Sequence, residues 1–213
     1  MGTVDLSGTH VNYDEPGNWP TVVESYRKAG VRLPGIGVVY ARPDETWNRR
    51  FFDFAREAEA RLVSFSLPPD GHEETLRGME RLSEEYGIRI AIHNHGGYDW
   101  LGSRAMLDYV FKHHPSVGLC LDTAWCIQAG EDPVKWLELF GGRLAGIHFK
   151  DFRFDPAGKW HDTAVGEGAL DLPAFLARFR ALEFSGPAVV EYEGENPEEY
   201  TARSVANIRA CLA

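Results

Sequence analysis

His93, Asp122, His148 and Glu191 each stand at the end of a short apolar run, and each can bind a metal ion. The runs are Arg89-Ile-Ala-Ile-His-Asn-His95, Gly118-Leu-Cys-Leu-Asp122, Leu144-Ala-Gly-Ile-His-Phe-Lys150 and Pro187-Ala-Val-Val-Glu-Tyr-Glu193. Side chains alternate faces along a strand, so parity assigns each residue a side. The four candidates share a side with Ala91, Cys120, Gly146 and Val189. The other side carries Ile90 and Ile92, Leu119 and Leu121, Ile147 and Phe149, Val190 and Tyr192. One side is bulky and suits packing on helices, while the other is small and ends in a polar group aimed at a shared cavity. Two imidazoles and two carboxylates form a mixed nitrogen–oxygen donor set. It suits one divalent ion, with Mn, Co, Zn or Fe(II) ahead of Mg, which prefers oxygen alone.

Further candidates flank these four. His95 shares the side of His93 one pleat onward and reads as a substrate contact, a neighbour of the ligands or an alternative ligand. Lys150 shares the side of His148 and suits a substrate oxygen or phosphate, the competing reading being a rim lysine in solvent. In the segment from Phe152 to Gly168, which reads as one long loop, His161 suits proton exchange with substrate and Glu167 a contact to it. Both also fit plain surface positions. His10 ends the first strand on a side that the pattern leaves open, toward the cavity or away from it.

These residues need elements to position them. Val4 to Val11, Leu33 to Tyr40 and Leu62 to Leu67 also read as strands, making seven. Helical patterns alternate with them: Pro20 to Ala29, Pro43 to Arg61, His72 to Tyr86, Ser103 to His113, Asp132 to Gly141, a segment from Asp171, and Pro197 to Leu212. This alternation predicts an α/β fold with a parallel sheet. An open doubly wound sheet is the competing topology, but its crevice would be lined by two or three strands. Four inward residues at consecutive strand ends favour a TIM-type (β/α) barrel with seven visible units, one short of eight. Without a linker or repeat, residues 1–213 read as a single domain.

Composition narrows the partners. A net charge of -10 and a pI near 5.3 disfavour nucleic acid and anionic membrane surfaces, which select for Lys and Arg. No apolar run is long enough to span a bilayer, and Cys120, Cys126 and Cys211 form no CxxC pair. The expectation is a cytoplasmic protein acting on a small molecule, with room for a homodimer at an unclosed sheet edge. Gly35-Ile-Gly37 lacks the third glycine of a dinucleotide fingerprint, and HExxH and Gly-x-Ser-x-Gly motifs do not occur.

The chain resembles the xylose isomerase-like TIM-barrel superfamily, in its sugar phosphate isomerase/epimerase branch. The motifs that carry the resemblance are Ile-Ala-Ile-His-Asn-His-Gly96, Leu-Cys-Leu-Asp-Thr-Ala124, Gly-Ile-His-Phe-Lys-Asp151, Val-Gly-Glu-Gly-Ala-Leu-Asp171 and Val-Glu-Tyr-Glu193. It implies one divalent cation held by His93, Asp122, His148 and Glu191, and a small carbohydrate substrate. The implied activity is isomerisation or epimerisation of a sugar or sugar phosphate through a metal-stabilised enediolate. Glu191 is then the base, His95 or His161 returns the proton, and Trp125 packs on the sugar. Many relatives carry glutamate at the position of His93 and histidine at that of Trp125. Of the two opposed carboxylates that epimerases use, only Glu191 remains. The alternatives are a dehydratase or lyase on a keto-sugar or keto-glycoside, for which one carboxylate suffices, and a non-catalytic sugar- or metal-binding barrel.

Overall fold

Apolar runs separated by amphipathic segments give strands that pair side by side, with helices between them. The computed structural model describes residues 2–97 and 99–213. Two short strands, β1 (Gly2–Thr3) and β2 (Val31–Arg32), pair in parallel. Six strands form the main sheet: β3 (Gly35–Tyr40), β4 (Leu62–Ser66), β5 (Arg89–His93), β6 (Gly118–Asp122), β7 (Leu144–Phe149) and, after the hairpin β8 (Asp151–Phe154) and β9 (Trp160–Thr163), β10 (Ala188–Val190). Their order is β10-β7-β6-β5-β4-β3, parallel at β3–β4, β4–β5 and β7–β10. The expected α/β alternation therefore holds. By internal contacts the chain forms two compact units, Met1–His93 with Asp108–Leu119, and Asn94–Leu107 with Cys120–Ala213.

In the first unit, helices α1 (Trp19–Lys28), α2 (Glu45–Glu57) and α3 (His72–Tyr86) separate the strands. Asp44 caps α2 by accepting the Trp47 N–H at 3.1 Å, and Phe51, Phe52, Phe54 and Ala55 form its buried stripe. Tyr13 meets Phe51 and Phe54 edge-on, with ring centroids 5.1 and 5.4 Å apart. The sequence predicts α2 through Arg61, but it stops at Glu57. Glu59 adopts a left-handed φ of 57°, and the Ala60 N–H turns back to the Ala55 carbonyl at 2.8 Å. The strand expected at Val4 to Val11 is also corrected. Only Leu6 bridges the sheet, at Ile36, because Ser7 and His10 close a local turn in which the His10 N–H donates to the Ser7 carbonyl at 2.9 Å.

The helix α4 (Arg104–His113) precedes β6 in the chain. The second unit contains α5 (Thr123–Gln128), which the sequence pattern does not mark, and then α6 (Pro133–Phe140), α7 (Leu172–Arg180) and α8 (Pro197–Leu212). The expected long loop after Phe152 is instead the antiparallel hairpin β8–β9. Beyond it, one buried side chain organises the segment that leads to α7. The Asp151 carboxylate accepts the N–H groups of Gly166, Gly168 and Leu170 at 2.9, 3.0 and 3.0 Å. Gly166 has a left-handed φ of 86°, and a Cβ at Gly168 would collide with Asp151. Asp151→Ala is expected to lower stability by about 3 kcal/mol, because backbone donors lose a charged acceptor away from water. Urea unfolding monitored by circular dichroism checks this, and an unchanged midpoint would remove Asp151 as the organiser of the segment.

Candidate metal centre

Asp122 ends β6 and also begins α5. Its carboxylate accepts the Trp125 N–H at 2.8 Å, so the side chain that faces the centre also caps the following helix. Asn94 fixes its backbone on both sides. The Asn94 amide donates to the Asp122 carbonyl at 3.0 Å, and the Asp122 N–H donates to the Asn94 side-chain oxygen at 2.9 Å. Thr123 does the same one strand over, donating its hydroxyl to the Lys150 carbonyl at 2.6 Å and accepting the Lys150 N–H at 3.0 Å. Strand ends in this region are thus held by side chains, where the ladder alone would fray.

His148, near the end of β7, lies beside Val189 of β10 in the parallel register. Glu191 directly follows β10, and its N–H continues the pairing to the Phe149 carbonyl at 3.0 Å. The Glu191 carboxylate is shared between two partners. One oxygen lies 2.6 Å from His148 Nδ1 and the other accepts from Lys150 Nζ at 2.9 Å. Lys150 also bonds Glu193, and its side chain is 1% exposed, so the reading of it as a rim lysine in solvent is overturned.

One ligand atom from each of His93, Asp122, His148 and Glu191 lies within 4.8 Å of the others. Ligand atoms about 2.0–2.2 Å from one tetrahedral ion lie roughly 3.3–3.6 Å apart, so this group would contract by about 1 Å at its widest to close on a cation. His93, Asp122 and His148 are buried and Glu191 is half-buried. Burial pushes the Asp122 carboxyl up to about 7, and the charge of Glu191 adds to it while Lys150 and the Trp125 N–H oppose it. Carboxylates crowded away from water in this way gain from a divalent ion. Burial alone would lower the Lys150 ammonium. The charges of Glu191 and Asp122 and the bonds to Glu193 and Glu191 outweigh that and hold it above the usual lysine range.

The remaining candidates take varied places. Trp125 is half-buried, with its ring centroid 4.9 Å from that of Phe152, and His95 lies 6.2 Å from Trp125. His161 does not join this neighbourhood. Alternation along β9 places it beside Arg153, on the face opposite Asp162 and Phe152, where its Nε2 lies 3.7 Å from Asp155. Glu167 is engaged elsewhere, by Arg203 Nε at 3.1 Å and by Arg153 at 3.5 Å. His10 is exposed on its turn in the first unit. Two further acidic residues act on Lys150. Glu193 bonds it, and Asp162, half-buried with its carboxyl raised by desolvation, lies in its field and accepts the Glu193 N–H at 3.3 Å. The two-residue alternation of Trp160-His-Asp-Thr163 is the signal that marks Asp162.

The xylose isomerase-like TIM barrel family matches residues 15–211. The chain is 27% identical over 156 residues to 3-oxo-isoapionate decarboxylase of Pectobacterium atrosepticum, covering 67% of this chain and 56% of that protein. It is 27% identical over 166 residues to inosose dehydratase of Lacticaseibacillus casei, with 67% and 55% covered. The chain thus spans little more than half the length of these curated relatives. The crystal structure of a D-tagatose 3-epimerase-like protein aligns with a TM-score of 0.77 over 100% of this chain and 88% of that one, at 15% identity, a likeness of fold. With a match that runs through nearly all of its sequence, the chain belongs to the xylose isomerase-like TIM-barrel family.

Proposed function

We propose that the protein is a divalent-metal-dependent enzyme that enolises a keto-sugar and expels a β-substituent, either water or an alcohol. The observation that carries this reading is the contact of Lys150 Nζ with Glu191 Oε1 at 2.9 Å. It sets one base and one acid side by side. His93, Asp122, His148 and Glu191 fit a divalent ion by donor chemistry and spacing, and such an ion, when bound, acidifies the C–H next to a ketone.

Glu191 takes that proton, and the C–H electron pair forms the new C=C bond as the β C–O bond breaks. Lys150 gives its proton to the departing oxygen. The coupling between the two residues times the transfer. Once Glu191 is neutral it no longer holds the ammonium proton, and Lys150 becomes a better acid at the moment the leaving group needs one. Two relatives named as a dehydratase and a decarboxylase, both bond-breaking activities, support elimination over isomerisation. The second reading, isomerisation or epimerisation of a sugar through an enediolate, is favoured by the half-buried His95 beside Trp125, which can return a proton to carbon.

Metal binding is checked by calorimetric titration with Mn, Co and Zn. Asp122→Asn, which keeps the helix cap, and His148→Ala are each expected to weaken affinity by on the order of 100-fold. Equal affinity in wild type and both variants would remove the centre.

The reaction is checked with inosose-type and other cyclic keto-sugars in deuterated water. Elimination gives loss of water or alcohol, whereas isomerisation gives deuterated sugar of unchanged composition. Glu191→Gln is expected to slow both exchange and loss by about 10³-fold, while Lys150→Gln uncouples them, leaving exchange faster than loss. Exchange without elimination in the wild-type protein would overturn the lyase reading in favour of the second.

A further inference from the structure

We propose that the aromatic face of the β8–β9 hairpin is a subsite for a second ring. The substrate is then an uncharged keto-glycoside, and neither a sugar phosphate nor a sugar acid. The proposal rests on the keto-sugar reading above and narrows its substrate.

Register sorts the hairpin into two unlike faces. Phe154 pairs with Trp160 and Phe152 with Asp162, so these four share one face, whereas Arg153 and His161 share the other. Phe152 is 1% exposed and packs edge-on against Trp125 at 4.9 Å. The Trp125 ring in turn lies 5.5 Å from Lys150 Nζ and 5.5 Å from the Trp160 ring. An unbroken path therefore leads from the Glu191 carboxylate, through Lys150 and Trp125, to the hairpin. At its outer end Trp160 and Phe154 are each 40% exposed. A tryptophan and a phenylalanine side by side in water, continuous with a polar centre, mark a surface that a ligand covers. Aromatic faces carry partial negative charge, and the C–H face of a sugar or the edge of an aryl ring complements them.

Charge decides between ligand classes. Lys150 carries the ammonium next to this aromatic wall, and both Glu191 and Glu193 already bond it. Its donors are therefore engaged by carboxylates of the chain itself, which leaves them poorly placed to take a phosphate or carboxylate. Arg153 cannot take its place. It lies on the opposite hairpin face, donating to the Glu167 carbonyl at 2.8 Å.

The test compares phenyl β-D-glucopyranoside, methyl β-D-glucopyranoside and glucose 6-phosphate by calorimetry on the metal-loaded full chain. The phenyl glycoside is expected to bind about tenfold tighter than the methyl one. Trp160→Ala erases that preference, Trp160→Tyr keeps most of it, and metal affinity stays unchanged in both. The subsite is overturned if neither glycoside binds, if the preference is absent or survives Trp160→Ala, or if glucose 6-phosphate binds tightest. A dimer in sedimentation that Trp160→Ala dissociates would also overturn it, assigning the face to a second copy of the chain. Because the readout is a ratio of affinities, it is independent of turnover. A Trp160-dependent preference without solvent exchange into any keto-glycoside would sink the enolisation reading and leave the subsite standing.

Discussion

A lysine ammonium taken out of water dictates much of this centre. Lys150 is 1% exposed, and a buried charge of that kind persists only where partners replace its hydration. Glu191 supplies one partner from within and Glu193 another from the surface. Removing the carboxylate of such a pair costs about 3–5 kcal/mol, because the remaining charge stays buried. The pairing also has a geometric effect. With one oxygen on Lys150 and the other against His148, the Glu191 carboxylate cannot rotate freely. The proposed enolisation would require a base held in one orientation, so the interaction that settles the lysine would also position that base.

The backbone beneath is fixed by two polar side chains. Asn94 holds Asp122 through both its N–H and its carbonyl, and Thr123 holds Lys150 likewise. Asp122 then serves twice, as a member of the donor group and as the cap of α5. That cap turns the chain so that Trp125 follows within one helical turn, close to both Lys150 and the hairpin aromatics. Helix start, centre and aromatic wall are thus one local arrangement.

How much of this is legible in the sequence depends on the range of the forces involved. Parity along an apolar run is local, so His93, Asp122, His148 and Glu191 fall together from the pattern alone. Their grouping and the α/β alternation need nothing further. Long-range pairings are different. That Lys150 is buried depends on Glu193, more than forty positions on, and that Glu167 is engaged depends on Arg203. The hairpin is a middle case. Asp155 accepts the Ala157 and Lys159 N–H groups at 2.9 Å, and Gly158 has a φ of 81°. The string Asp-Pro-Ala-Gly-Lys159 carries that turn chemistry openly, and its flanks alternate, but a run of polar residues masks both signals. Ser7 and His10 misled in the opposite sense, since a strand-like composition at Val4 to Val11 lost to a local turn.

The donor set bears on the outcome of the reaction. Two opposed carboxylates allow a proton to leave one face of a carbon and return on the other, the requirement for epimerisation. With histidine at position 93, the second carboxylate of such a pair is replaced by an imidazole, a far weaker base once it binds a cation. Glu191 is then the remaining carboxylate of that opposed pair, and its neighbour is an ammonium, which gives protons and takes none. A base and an acid on the same side of the substrate suit the removal of a proton and the departure of an oxygen from that side. The same exchange lowers the negative charge of the donor set by one unit. A divalent ion bound there would be held less strongly and would keep more of its charge to polarise a ketone, as the proposed elimination from a neutral keto-sugar would demand.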